Sequence, residues 1–432
     1  MGEYLLDENM KEKEKNNYNT LKEKISQYYQ LESNNNKILI VGHSSNQGGA
    51  EILLKNLIHE FKKQNIDPVV LVKTDGPLRK EYEKLAPTFL IENLNLFEEY
   101  IIELKKYGYK SAILNTIVCG DLIPLLHEWN YFTMNLVHEL PGMVKILKGE
   151  EYVKIIANKS DLSVFPSNYV FEKFETMQKV KTDILIEPQG LYNPYTQFNK
   201  KESRKIIEKK YNIPPEYNII LNVVWGEYSK GFDLFSEVSE KLKNDNYSFI
   251  WLGSVDEELK KNANEDLILP GFISDVNEIM TFYDACDLFL LTSREDPFPS
   301  VVLEAFNANK PVIGFENAGG FEDIVINDKS GYLVKFESVN EIINKIKLIC
   351  ENETLKTTLG NNAKEICGQY NFSNYVKLLK CYCLNGEKIY TLKNKVKSKN
   401  KTITNLKEKN QKLQNEKSKI TKPLRKLKEI VK

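Results

Sequence analysis

From Lys37 onward, short apolar runs recur along the chain, each closed by a glycine, a proline or a polar stretch. Ile38-Leu39-Ile40-Val41 is the first; Pro68 to Val72, Ser111 to Asn115, Phe132 to Val137 and Leu162 to Phe165 follow. Their continuous apolar character is that of parallel strands buried on both faces. After the first run the spacing changes, and Ala50 to Leu54 with Leu57, Ile58 and Phe61 follow a helical period. Similar helical patterns separate most of the other runs, which predicts an α/β layer on a parallel sheet. The pattern restarts with Asn218 to Val224, Ser248 to Gly253, Asp266 to Gly271, Leu288 to Thr292 and Pro311 to Phe315. Gly319-Gly320 reads as a turn, and Gly331 to Val334 as a turn and then a strand. Two similar α/β domains joined near residues 187–195 are expected, with a ligand cleft where the carboxyl ends of both sheets meet.

The two ends read differently. Residues 1–36 are polar, with weak helical spacing at Leu21, Ile25, Tyr28 and Leu31, as in an exposed helix and linker. The tail carries a heptad: Ile389, Val396, Ile403, Asn410, Lys417, Leu424 and Val431 share one core position, and Leu392, Lys399, Leu406, Leu413, Ile420 and Leu427 the other. A coiled coil is expected, weakened at Lys399, Asn410 and Lys417 and broken or kinked at Pro423. Self-association through 389–431, a basic helix on an anionic membrane surface, and a solvated tail are the three readings of this stretch. The expected organisation is 1–36 as an extension, 37–187 as the first α/β domain, 188–370 as the second, 371–384 as a further helix and 385–432 as the tail.

Charge sharpens that division. The 432 residues hold 60 Lys+Arg and 60 Asp+Glu, yet residues 387–432 alone hold 16 Lys+Arg against 4 Glu, a charge of +12. The rest therefore carries −12, which speaks for the tail's partners rather than the fold. No run of 18 apolar residues occurs, so no transmembrane helix is expected. The first residues lack a basic start and a long apolar run, which argues against a signal peptide. The six cysteines are scattered without metal-ligand spacing and read as reduced thiols of a cytoplasmic protein. With only four histidines, no His-rich metal site is expected.

Five places could carry chemistry. Gly48-Gly49, between strand and helix, lets backbone N–H groups approach a phosphate, although paired glycines are more often a tight turn. His138 follows a strand end in Val137-His138-Glu139-Leu140-Pro141-Gly142 and suits a sugar contact or proton transfer, against a structural role that also fits His43, His59 and His127. Lys230-Gly231 opens a helix where a lysine can neutralise a diphosphate, or can simply be a surface lysine. Thr292 to Ala305 is the most specific stretch: Asp296 and Glu304 flank a loop whose amides can hold hydroxyls, and a helix whose dipole can face a phosphate. Gly319 to Val325 reads mostly as a structural turn.

Together these residues resemble the retaining nucleotide-sugar glycosyltransferases of family 4, with the GT-B fold of two Rossmann-like domains, over about residues 37–384. The segment Ser293 to Pro311 is similar to the family's Glu-x7-Glu motif and its following "LEA" helix. Asp296 stands in place of the first Glu, and Glu304 keeps the second. The resemblance implies that Glu304 holds the nucleotide ribose, and that Asp296 lies by the donor sugar within the loop of Phe298, Pro299 and Ser300. It also implies that Lys230 faces the diphosphate. Trp225 replaces the arginine expected five residues earlier, a role that Arg294 could take over. Gly48 and Gly49 match the N-domain phosphate loop, His138 the cleft histidine and Gly190 the interdomain turn; Gly253 and Phe272 fall at the expected base pocket.

The function implied is retaining, metal-independent transfer from a nucleoside diphosphate sugar, the donor substrate, with no cofactor. The acceptor is a glycan or a lipid-linked glycan in surface polysaccharide, O-antigen or glycoprotein glycan synthesis. The enzyme is then cytoplasmic, or peripheral to the inner face of the membrane. An acidic body without a reader module argues against nucleic acid as a partner. The alternatives are a catalytically impaired GT-B domain acting as a coiled-coil scaffold, motivated by Trp225 and Asp296, and another GT-B enzyme such as an epimerase or phosphorylase.

Overall fold

The computed structural model describes residues 36–386, apart from Glu92 and Asn193. The heptad over 389–431 and the helical spacing between Leu21 and Leu31 lie outside the described residues. Seven strands form the first sheet: β1 (Lys37–Gly42), β2 (Asp67–Val72), β3 (Thr88–Leu90), β4 (Ser111–Asn115), β5 (Phe132–Leu136), β6 (Leu162–Phe165) and β7 (Asp183–Ile186), in the order β3-β2-β1-β4-β5-β6-β7. Six form the second: β8 (Asn218–Val223), β9 (Tyr247–Leu252), β10 (Ile268–Gly271), β11 (Leu288–Leu290), β12 (Val312–Phe315) and β13 (Gly331–Val334), in the order β10-β9-β8-β11-β12-β13. Every pairing between these strands is parallel.

Each sheet grows in both directions from its first strand. The order therefore reverses between β1 and β4, and again between β8 and β11. Loops leaving the carboxyl ends of such strand pairs diverge to opposite faces and open a crevice, the usual ligand position in this architecture.

The continuous apolar runs are explained by two-sided burial. Leu39 and Val41 pack on one face of the first sheet with Val69, Leu71 and Leu114. Ile38 and Ile40 pack on the other with Val70, Val72 and Ile113. In the second sheet Trp251 sits edge-on to Phe232 and Phe235, at centroid distances of 5.1 and 5.2 Å. Two strands carry little sequence signal. β3 has three residues, and β7 is a partly exposed edge strand, so neither needs a long apolar run.

The chain crosses between the domains twice, side by side. Gly190 has a φ of +77°, and a Cβ there would press on the backbone of Tyr370 to Phe372. The Leu191 N–H donates to the Tyr370 carbonyl at 3.1 Å. The helix over 372–386 then returns to the first sheet, where Phe372, Tyr375, Val376 and Leu379 join Ile38 and Phe61 in one apolar cluster. Burying each of the large side chains contributes about 1.5–3 kcal/mol.

Candidate active site

A cavity of about 950 Å³ lies where the carboxyl ends of both sheets converge. Its second-domain wall is built on the β8–β11 switch point. Gly231, at φ +71°, ends the turn Tyr228–Lys230, and a Cβ there would run into the Thr292 carbonyl. That close approach lets Thr292 Oγ1 donate to the Lys230 carbonyl at 3.3 Å, and the Arg294 N–H to the Ser229 carbonyl at 2.9 Å. The turn is thereby fastened to the loop after β11. Lys230 Nζ reaches Asp296 Oδ2 at 2.7 Å, and Asp296 is 7% exposed. One cation thus stands at the cavity wall with a buried carboxylate as its partner. Phe298 and Ser300 line the same wall, and Ser300 opens the helix Ser300–Asn307, whose N-terminal end favours an anion.

The first-domain wall is built on the β1–β4 switch point and the adjacent end of β5. The helix Gly49–Lys63 opens there, with Gly49 at the cavity surface and no atom within 4 Å of a Cβ placed on it. Glu51, in its first turn, is 6% exposed. It pairs with His43 Nε2 at 3.2 Å and accepts from the Ser44 hydroxyl. Burial pushes this carboxyl up, but the hydrogen bonds from His43 and Ser44 outweigh burial and hold it below its ordinary value. Thr116, immediately after β4, has a φ of +89° and touches His43 Nδ1 through Oγ1 at 3.3 Å. A β-branched residue in that region is strained, and such strain clusters at functional sites. Glu139 accepts from the Ile117 and His138 N–H groups, and its burial raises its carboxyl pKa.

His138 lies between these groups. Its Nε2 is 3.2 Å from Asn115 Oδ1, and its Nδ1 is 3.1 Å from Gln189 Nε2. Enclosure by protein, with His43 nearby, lowers its pKa to about 4. The ring is therefore neutral at physiological pH and acts through hydrogen bonding rather than charge.

Of the residues singled out in the sequence, Gly49, His138, Lys230, Asp296, Phe298 and Ser300 line this one cavity. Gly48 caps the helix Gly49–Lys63, and Pro299 caps Ser300–Asn307. Glu304 stands in the latter helix, outside the cavity lining, its carboxyl raised by burial and close to the Tyr283 hydroxyl. Four residues are placed otherwise. Arg294 is spent on Asp233, at 2.7 Å through both Nη atoms, on Glu337 and on the Tyr228 carbonyl, with its guanidinium 3.8 Å from the Tyr228 ring centre. It braces the lysine's turn, its guanidinium held by these partners, and is not among the cavity residues. Trp225 is 55% exposed and donates to Asp256 Oδ1 at 3.2 Å. Gly253, at φ +147°, lacks a side chain so that the Val224 carbonyl can pass. Phe272 is 74% exposed, beyond the cavity lining.

Sequence reasoning passed over Glu51, Asn115, Thr116, Gln189 and Tyr192. Asn115 ends a predicted strand, and a polar residue at the carboxyl end of a buried run is the signal that was available.

Residues 203–366 match the family model of the glycosyl transferases group 1. The N,N'-diacetylbacillosaminyl-diphospho-undecaprenol alpha-1,3-N-acetylgalactosaminyltransferase of Campylobacter jejuni is 25% identical over 324 residues, 73% of this chain and 82% of that protein. The capsular polysaccharide biosynthesis glycosyltransferase CapM of Staphylococcus aureus is 28% identical over 351 residues, 72% of this chain and 88% of its own. Among solved structures, Anabaena HepE in complex with UDP superposes with a TM-score of 0.68 at 17% identity, over 81% of this chain and 100% of that one. The fold is GT-B, two Rossmann-like domains facing a cleft. Residues 203–366 thus resemble the glycosyl transferases group 1, and glycosyl transfer is the chemistry of that family and of both relatives.

Proposed function

We propose that the chain transfers a glycosyl group from a nucleoside diphosphate sugar to a lipid-linked glycan, with retention at the anomeric carbon, as in family 4. The observation that carries this reading is the convergence of Lys230 and two helix N-termini, Gly49–Lys63 and Ser300–Asn307, on one cavity. Lys230 and those backbone N–H groups stabilise the negative charge that grows on the departing diphosphate, without a divalent cation. Glu304 takes the ribose hydroxyls, and Asp296 the donor sugar.

The bond from the anomeric carbon to the diphosphate oxygen breaks as the acceptor oxygen bonds to that carbon on the same face. The acceptor proton passes to the leaving phosphate oxygen. A neutral His138 with both ring nitrogens occupied fits this route, since it neither accepts that proton nor supplies one. The relatives act in capsule synthesis and on an undecaprenyl diphosphate-linked sugar, which supports a lipid-linked acceptor at the first-domain wall and work at a membrane surface. Among the described residues, no helix is long and apolar enough to cross a membrane.

The test is a thermal-shift titration with UDP, GDP and ADP and their sugar conjugates in EDTA, followed by NMR of the product's anomeric proton. One nucleotide should raise the melting temperature of the wild type and not of Glu304→Ala, and the product should keep the donor's anomeric configuration. Inverted product, or a strict need for a divalent cation, rules this mechanism out.

A further inference from the structure

Five groups form an unbroken hydrogen-bonded line from the interdomain turn to the first-domain phosphate loop. The Tyr192 hydroxyl is 3.1 Å from Gln189 Oε1, and Gln189 Nε2 is 3.1 Å from His138 Nδ1. His138 Nε2 is 3.2 Å from Asn115 Oδ1, and Asn115 Nδ2 is 2.8 Å from the Ala50 carbonyl.

The line has only one polarity. A main-chain carbonyl accepts and never donates, so Asn115 must turn its NH₂ to Ala50 and its oxygen to His138. Against that oxygen His138 must place an N–H, so Nε2 carries the proton and Nδ1 is bare. A bare Nδ1 calls for a donor, and Gln189 answers with its NH₂. That leaves Gln189 Oε1 to accept from Tyr192, a phenol that burial, with Glu304 nearby, keeps protonated. Nothing in the line can flip without stranding its neighbour, which would leave a desolvated polar group without a partner.

The line also joins parts that are far apart in sequence. Tyr192 packs edge-on against Phe372 at 4.8 Å, where the chain makes its second crossing. Gln189 precedes Gly190 at the first crossing. Ala50 belongs to the first turn of Gly49–Lys63, at the cavity surface. We propose that Gln189 is a positioning residue, which holds His138 in its neutral, Nε2-protonated tautomer and ties the interdomain turn to the floor of the cavity. The titratable groups facing the ring are His43 from the end of β1, Glu51 through its pair with His43, and Glu139 on the ring's own loop. For a neutral ring the tautomer follows from the geometry of the line. Its effect on turnover rests on the proposed glycosyl transfer.

The test is histidine-selective ¹⁵N NMR of the full chain, whose four histidines make assignment by His138→Gln direct. In the wild type His138 should show a protonated Nε2 and a bare Nδ1. Gln189→Leu should give mixed tautomers. Gln189→Glu, which puts an acceptor against Nδ1, should move the proton to that nitrogen. With a donor that turns over, Gln189→Leu should lower kcat about tenfold or more while donor KM stays within about twofold, the split expected when positioning rather than binding is lost. Circular dichroism and melting temperature show whether each variant folds. A wild-type His138 protonated on Nδ1, or wild-type nitrogen shifts in a folded Gln189→Leu, overturns the proposal. Tautomer changes in a protein that transfers no sugar leave the relay standing and remove the transferase reading instead.

Discussion

A histidine whose two ring nitrogens are committed to protein partners behaves differently from the free side chain. His138 takes up a proton in the unfolded chain near pH 6.5, but in the folded chain only near pH 4. Between those values the unfolded state binds more protons, so stability falls as the pH falls. The contribution of this group is complete above pH 6.5 and is lost as the pH drops through about 4. His138→Gln should remove that component of the pH dependence, as read from urea midpoints between pH 4 and 7. An unchanged slope would mean that other groups account for it. Lys230 and Asp296 make the same point about context, because each alone reads as a surface charge. Paired at 2.7 Å on a cavity wall, they become a cation held ready and a carboxylate that needs it.

At the scale of elements, function depends on turns that only glycine can make. Gly231 joins the lysine's turn to its helix at a positive φ and under the Thr292 carbonyl. Gly231→Ala must strain the backbone and push β8 from β11 at the switch point, at a cost of about 1–3 kcal/mol. The variant should melt lower and lose nucleotide binding, as checked by calorimetry. A variant that melts lower but binds as well as the wild type would place the strain outside the site. The helix Ser300–Asn307 works at this scale too, presenting its N-terminal end to the cavity while Glu304 stands one turn further along.

At the scale of the molecule, the two domains touch where loop meets helix end. Asp323 accepts from the Asn168 N–H at 2.9 Å, at the start of the helix Asn168–Met177, and Tyr169 donates to the Asn317 carbonyl at 3.1 Å. Ser167 donates to the Pro297 carbonyl at 3.2 Å, in the loop after β11. A carboxylate at a helix N-terminus is worth about 0.5–2 kcal/mol. Asp323→Ala with Tyr169→Phe should therefore loosen the interface, increase the radius of gyration in X-ray scattering and lower kcat several-fold. If neither quantity moves, closure is held elsewhere.

How much of this was legible beforehand follows from what each feature depends on. The strand–helix alternation and the two-domain α/β plan were readable because burial on both faces of a parallel sheet writes itself into continuous apolar runs such as Ile38 to Val41 and Leu288 to Leu291. The loop after β11 and Lys230 were readable as local patterns, since loop, lysine and helix N-terminus lie close together in sequence. Edge strands β3 and β7 were not, because β3 is only three residues long and the partly exposed β7 needs little apolar character. Nor could local pattern assign Arg294, whose partners Asp233 and Glu337 are distant along the chain, or link Gln189 to His138 and Asn115. Those contacts exist because two sheets and a double crossing bring strand ends together. A hydrogen bond acts only over about 3 Å, so the chain's chemistry was written locally while its geometry was decided by tertiary packing.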